Sequence, residues 1–516
     1  MTEDSLHNKA ELAETQITDR ALEATDASNE WDDHPRPSRA HVAILTSARI
    51  VTGLIGVAIA GALLAAAIFV PFPTHVVSAP AVTVTPSASA QKRVCAGPLV
   101  SLGDVSGRGA SVLSSIGTEA VTHGQTSGTA SLTRLRATEN ASKIAPYLAR
   151  LAPSTSTPPA LVSASQSEIG STDAVVGLAA AECREASSDS WLVGGSTTTG
   201  RTTIISLTNP SAVPATVDLS IYSETGLVSA PGTTGITVAP GSQRLFSLAA
   251  FAPSIASPVV HVLSRGGIIM ATLQQSTVRT LQAGGVDFVG SSAALSTSAT
   301  IPGLTILNSE GLVGLESSPG NSDLSTVIRL FVPGSNDASA SISLQPEQGV
   351  GLAAGVGTTV KVQVKAGMVT DVPLDAFADG SYTVTITSTQ PLVAGSRVST
   401  VGSLGQTDFA WYGSGATLEK QALVSVASAG TPQVHLVNPT TEPQTVVITT
   451  AGAAFGTVTV PAGKTMAYAL TASPVPYLLS GFRSIIATVS YNGDGLNSAY
   501  TVTPRPEPDT AITIHP

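Results

Sequence analysis

Apolar and polar positions alternate in short runs through most of the chain. In ATVDLSIYSETG (215–226), Val217, Leu219 and Ile221 fall on one face and Thr216, Asp218, Ser220 and Tyr222 on the other, the period of two expected of a half-buried strand. Glycine and proline close each run. Asn209-Pro210 and Asn438-Pro439 end a strand, because proline donates nothing to a ladder and constrains the residue before it.

The runs recur in a fixed order. After Trp191-Leu-Val-Gly-Gly-Ser come TIISLTNPS, ATVDLSIYSETG, ITVAPG, RLFSL and VVHVLSRGGIIMATLQQ; after Phe409-Ala-Trp-Tyr-Gly-Ser come QVHLVNPT, TVVITT, VTVPAG, TMAYAL and SIIATVSYNGDGLNSAYTV. A more diverged middle copy opens at Phe288-Val-Gly-Ser. Repeats of roughly 95 to 115 residues with about seven strands each have the size of an immunoglobulin-like sandwich. The expected fold is all-β, with tandem immunoglobulin-like β-sandwich units at 189–285, 286–405 and 406–503 on a single N-terminal transmembrane helix. The units should behave as separate beads, with protease-sensitive joints near 283–288 and 400–409.

One run breaks the alternation. Residues 50–70, IVTGLIGVAIAGALLAAAIFV, carry Thr52 as their one polar side chain and as a helix would span about 31 Å, one bilayer crossing. Arg36, Arg39 and Arg49 precede it, and the next cation is Lys92. That asymmetry keeps the N-terminus in the cytoplasm and sends the bulk of the chain outside the cell membrane. Val77-Ser78-Ala79 has the small residues of a cleavage site, but a removable signal has a shorter core behind a shorter head, so a retained anchor is expected. The acidic tail 1–49 holds five cations against ten carboxylates and reads as largely disordered. Residues 71–93 form a Pro/Ser/Ala/Thr-rich stalk, and 504–516 a C-terminal tail.

Composition narrows the function. A net charge of −10, with 12% charged residues, excludes nucleic acid as a partner by charge. The two cysteines, Cys95 and Cys183, lie on the expected oxidising side and should pair, closing a β-rich domain at 94–188. With no CxxC and no His-x-x-x-His, neither metal nor cofactor is signalled.

A cysteine near the stalk, a second before Trp-x-x-Gly-Gly-Ser, the Leu-x-Asn-Pro strand end and the Val-x-Pro-Gly or Val-Pro-Ala-Gly turn together resemble DUF5719, an actinobacterial family of single-pass membrane-anchored proteins. The resemblance covers about 94–503 and implies an extracytoplasmic protein without an established activity. The middle copy departs from it, with Pro333-Gly334 where the others have Asn-Pro.

Catalytic patterns are sparse. No Gly-x-Ser-x-Gly occurs, and Ser89-Ala-Gln-Lys92 lacks a Lys-Thr-Gly partner. His261 and His435 lie in apolar strands and read as satisfied strand histidines. Asp371, Asp375 and Asp379 imitate part of a calcium loop, but Phe377 and Ile386 stand where oxygen ligands are needed, so they read as solvated turn carboxylates. No catalytic, cofactor-binding or metal residue is nominated. The expected function is a noncatalytic, membrane-anchored cell-envelope protein, a scaffold or binding module for envelope glycan or protein partners, held in the lipid bilayer by 50–70. The alternatives are a glycan-acting enzyme with an unrecognised carboxylate site and a transmembrane sensor.

Overall fold

The structure, a computed structural model, describes residues 39–69, 82–84, 89–103, 112–153, 159–318, 320–349, 357–374, 377–505 and 512–514. Arg36 and most of the tail, the stalk and the C-terminal tail lie outside them. A helix runs Arg39–Phe69 and takes in nearly all of the apolar run. Side chains are described for 51–66, and every one is exposed. Among the described residues no helix is long and apolar enough to cross a membrane.

From Thr83 to Thr513 the chain forms one compact unit. It is β-rich, as the alternation requires, with strands in 58% of the described residues and helix in 7%, and its sheets pack in sandwich-like pairs. In the first repeat, one sheet pairs Asp189–Val193 with Val259–Gly266 and that with Ala215–Ser223; the facing sheet runs Gln282–Val289, Met270–Arg279, Arg201–Asn209, Ser242–Ser247. The second and third repeats keep this plan with one change. Gly380–Val401 and Tyr477–Gly493 are long strands whose first halves serve one sheet and second halves the other. In the first repeat the equivalent strand is broken at Gly266 and Gly267, where φ is +79° at Gly266 and a Cβ on Gly267 would lie 2.6 Å from Ser211 Oγ.

The last strand of each repeat does not stay within its own sandwich. Thr407–Gly413 is buried on both faces: Ala410 and Tyr412 enter the core of the second repeat, while Phe409 and Trp411 enter that of the first. Val286 and Phe288, from Gln282–Val289, pack into the Cys-bridged segment against Leu99 and Ala179. Ala499, from Leu496–Thr501, packs into the second repeat. Leu178 and Ala180, from Val176–Glu182 of the Cys-bridged segment, complete the core of the third repeat. These four inner strands therefore form a closed ring, each filling the core of a neighbouring segment. The expected separate beads are not what the sheets build. Phe288 and Phe409, read as unit openings, sit in ring strands; the joint expected near 283–288 falls largely on buried ring residues, whereas that near 400–409 takes in the exposed turn at 403–405 ahead of the buried ring residues Asp408 and Phe409.

Short parallel pairings tie the periphery as well. Arg136–Ala137 adds to Ser242–Ser247, and Gln348–Gly349 adds to Thr465–Ala469 of the following repeat. Cys95 and Cys183 form a disulfide, fully buried among Ala149, Leu151, Val162 and Ala164. Gln91–Val94, whose first three residues were expected in the stalk, is a strand on Tyr147–Leu151, and Lys92 Nζ donates to Pro210 O at 2.8 Å.

Candidate binding cleft

All four ring strands end at the same place. The residues that follow them, from Arg184, Ser291, Ser414 and Val502 onward, surround a cleft of about 700 Å³, within the range of small-ligand sites. Loops gathered where strands end are a usual place for function, since a rigid scaffold holds them. Here the scaffold is the ring.

Arg184 organises the cleft. Its Nη1 donates to Ser291 O, its Nη2 to Thr501 O at 3.1 Å and Thr501 Oγ1 at 2.5 Å, and its Nε lies 3.5 Å from Glu182 Oε2. One guanidinium thus joins three of the four loops. Glu182 in turn accepts from Thr503 N at 3.1 Å and Thr503 Oγ1 at 2.8 Å; burial raises its pKa against the pull of Arg184 and Arg93.

Arg93 and Glu185 differ from this satisfied network. Arg93 is 6% exposed, its Nε donates to Val162 O at 3.2 Å, and its Nη1 is buried without a partner. Glu185 Oε2 is likewise buried and unpartnered. Burial raises the Glu185 pKa, with Arg93, Arg505 and Lys92 opposing. Asp189 and Trp191 complete the charged and aromatic lining. The Trp191 ring stacks on His261 at 3.9 Å, and His261 Nε2 lies 2.9 Å from Asp189 Oδ1.

A second cluster has the chemistry of a catalytic relay but not its access. Ser490 Oγ lies 2.8 Å from His435 Nε2, and His435 Nδ1 lies 2.5 Å from Glu347 Oε2, the order of nucleophile, base and orienter. Glu347 reaches His435 because it precedes the strand Gln348–Gly349 that the second repeat lends to the third. It also accepts from Gly303 N at 2.8 Å and Thr383 Oγ1 at 2.7 Å. Burial would raise its pKa, but His435, Thr383 and Gly303 outweigh it and hold the carboxyl below its ordinary value. His435 and Ser490 are 0% exposed and Glu347 4%, and at Gly303 a Cβ would lie 2.7 Å from the His435 ring. A substrate has no path to this serine. His435 is the satisfied strand histidine expected of it.

The aspartates of the calcium-like run separate. Asp371 is not a solvated turn residue: it lies in Val369–Leu374 and takes a two-pronged ion pair from Arg329, with distances of 2.8 and 2.9 Å. Asp379 accepts from the Asn308 and Ser309 amides at the start of the helix Ser309–Glu316. Asp375 lies outside the described residues. Among the described residues no group of three or more His, Cys, Asp or Glu could hold a metal ion.

Residues 137–479 match the profile of a family of unknown function, DUF5719. The chain belongs to that family. No curated protein matches it. DUF5719 membership therefore brings no assigned residue to the cleft, and Arg93, Arg184 and Glu185 stand on their geometry.

Proposed function

We propose that this DUF5719 protein is a noncatalytic, membrane-anchored cell-envelope protein, a binding module for envelope glycan or protein partners, and that the ligand enters the cleft at the end of the strand ring. One observation carries this reading. Four loops converge on an open cleft that holds arginines, carboxylates and hydroxyls, while the Ser490–His435–Glu347 relay is sealed in the core. The cleft offers polar groups to a ligand, and the relay's serine lies out of a substrate's reach.

In this proposal the apolar run 50–70 is the anchor, and Arg36, Arg39 and Arg49 hold the N-terminus in the cytoplasm. The Cys95–Cys183 disulfide supports an oxidising location for the rest. The three repeats are immunoglobulin-like units whose last strands have come to be shared around the ring. The test is a crosslinking pull-down from membranes, comparing the natural chain with Ala293→Trp, which fills the cleft. Envelope material captured by the natural chain and lost with the variant supports the reading; equal capture by both overturns it. Reporters fused before residue 50 and after Pro516 should be active in the cytoplasm and outside it, respectively.

A further inference from the structure

We infer that the cleft takes the far end of the ring in a second copy of this chain, so that copies join head to tail along the ring axis. The inference rests on the cleft being the ligand site and names its partner. The four ring strands run the same way: Asp408 accepts amides from near their starts, at Leu178, Val286, Phe409 and Asn497, and Arg184 binds Ser291 and Thr501 at two of their ends. The hairpins that open these strands, at 171–176, 279–282, 401–407 and 493–496, therefore gather opposite the cleft.

That end presents aliphatic side chains on a stiff frame. Leu281 is 95% exposed and Leu404 92%, more than any other large apolar side chain among the described residues. Single apolar residues on a surface carry little meaning, but these two are held in place. Thr280 and Leu281 keep φ at +47° and +72°, a left-handed turn that strains branched and bulky residues and that glycine or asparagine would make freely. The Leu404 amide donates to Gln406 Oε1 at 3.1 Å, Ser403 N to Asp494 Oδ1 at 2.7 Å and Gln406 Nε2 to Asp494 O at 3.2 Å. Arg279 Nη1 donates to Thr407 Oγ1 at 3.1 Å, so three of the hairpins are laced together.

The cleft complements this end in shape and charge. Much of its open wall is apolar: Ala293, Ala294, Leu295, Ala416 and Pro504 line it, and none of them is buried. Its volume admits leucine side chains. Among the lining residues, Arg93, Arg184 and Arg505 outnumber the carboxylates Glu185 and Asp189. The hairpins carry the opposite sign, with Asp173 and Asp494 exposed and Arg279 engaged by Asp323. Two hairpin ends face to face would set acid against acid, whereas hairpin end against cleft sets acid against base. A knob and a socket at opposite ends of one axis make a heterologous contact, which repeats instead of closing.

The test is sedimentation velocity of the full chain in detergent across a concentration series. The natural chain should form dimers and larger species as concentration rises. The double variant Leu281→Asp, Leu404→Asp alters only the hairpin end, and Ala293→Trp fills only the cleft; each should sediment as a monomer with melting temperature kept within a few degrees. Leu295→Asp, at an exposed wall position, replaces Ala293→Trp if that variant unfolds. An equimolar mixture of the hairpin and cleft variants should form a one-to-one dimer and nothing larger, because one intact cleft still meets one intact hairpin end. A natural chain that stays monomeric, association that persists in either variant alone, or a mixture that stays monomeric overturns the inference. If Ala293→Trp nonetheless loses the envelope material that the natural chain captures, the cleft remains the site of a different partner; if capture is unchanged, the cleft reading falls as well.

Discussion

The Leu178 amide donates to Asp408 Oδ2 at 2.8 Å, joining residues 230 positions apart. The same carboxyl accepts from the amides of Val286, Phe409 and Asn497, so one side chain gathers donors from all four ring strands. Asp408→Ala should leave several buried amides without an acceptor. At about 1 to 3 kcal/mol for each buried group left unpaired, the loss should be on the order of 4 kcal/mol, read from a denaturant midpoint that falls at unchanged slope.

Stability should peak in mild acid. Burial pushes Asp408 up to about 8 against its four amides, and Glu168 up to about 7 against the Leu99 amide. The unfolded chain releases these protons near pH 4. The folded chain then holds more protons between about pH 4 and 8, and stability falls as pH rises through that window. Asp323 acts in the opposite sense: burial opposes its ionisation, but Arg279 and Arg201 hold it down at about 2, and its contribution is lost as pH falls from about 4 towards 2. Melting temperature should therefore be highest at about pH 4 to 5, and Glu168→Gln should flatten the decline above it.

Proteolysis should spare the ring. Residues 286–289 and 407–413 are mostly buried, so brief digestion should leave these strands uncut while folded protein remains. Early cleavage there, releasing single repeats, would show that the segments fold as beads after all.

Ser490 should resist fluorophosphonate labelling in folded protein, because it is fully buried. His435→Ala removes the partner of the buried Glu347 carboxylate and should cost about 3 to 5 kcal/mol. Labelling of Ser490 in native protein, abolished by His435→Ala, would promote the enzyme reading.

Nonreducing peptide mapping should recover Cys95 and Cys183 in one linked peptide. Replacing both with alanine should destabilise by about 4 to 5 kcal/mol in the chain-entropy account of an 88-residue loop, measured by chemical unfolding.

The strands were legible wherever one face is apolar and the other polar, as at Val217, Leu219 and Ile221. The disulfide was legible from compartment and cysteine count. The ring was not, because a strand buried on both faces loses its alternation: Phe409-Ala-Trp-Tyr reads as a plain apolar run, with nothing to say that alternate residues serve different cores. Asp287 and Asp408, polar residues set in such runs, were the available signal. The cleft was less legible still. Arg93, Arg184 and Glu185 are scattered single charges in the sequence, and their meeting depends on strand ends separated by hundreds of residues.

Ring closure also sets an order in time. Ser498 Oγ accepts from the Ala180 amide, 318 residues earlier in the chain, and the core of the third repeat contains Leu178. During synthesis the Cys-bridged segment emerges ahead of the repeats, and Ser498, in the strand that covers its ring edge, follows Ala180 by 318 residues. Until then its inner strand has an unshielded apolar face, the condition in which nascent chains aggregate or recruit holding chaperones. Final assembly is a slow, long-range step, and a chain that stops before Asn497 forfeits closure for every segment at once.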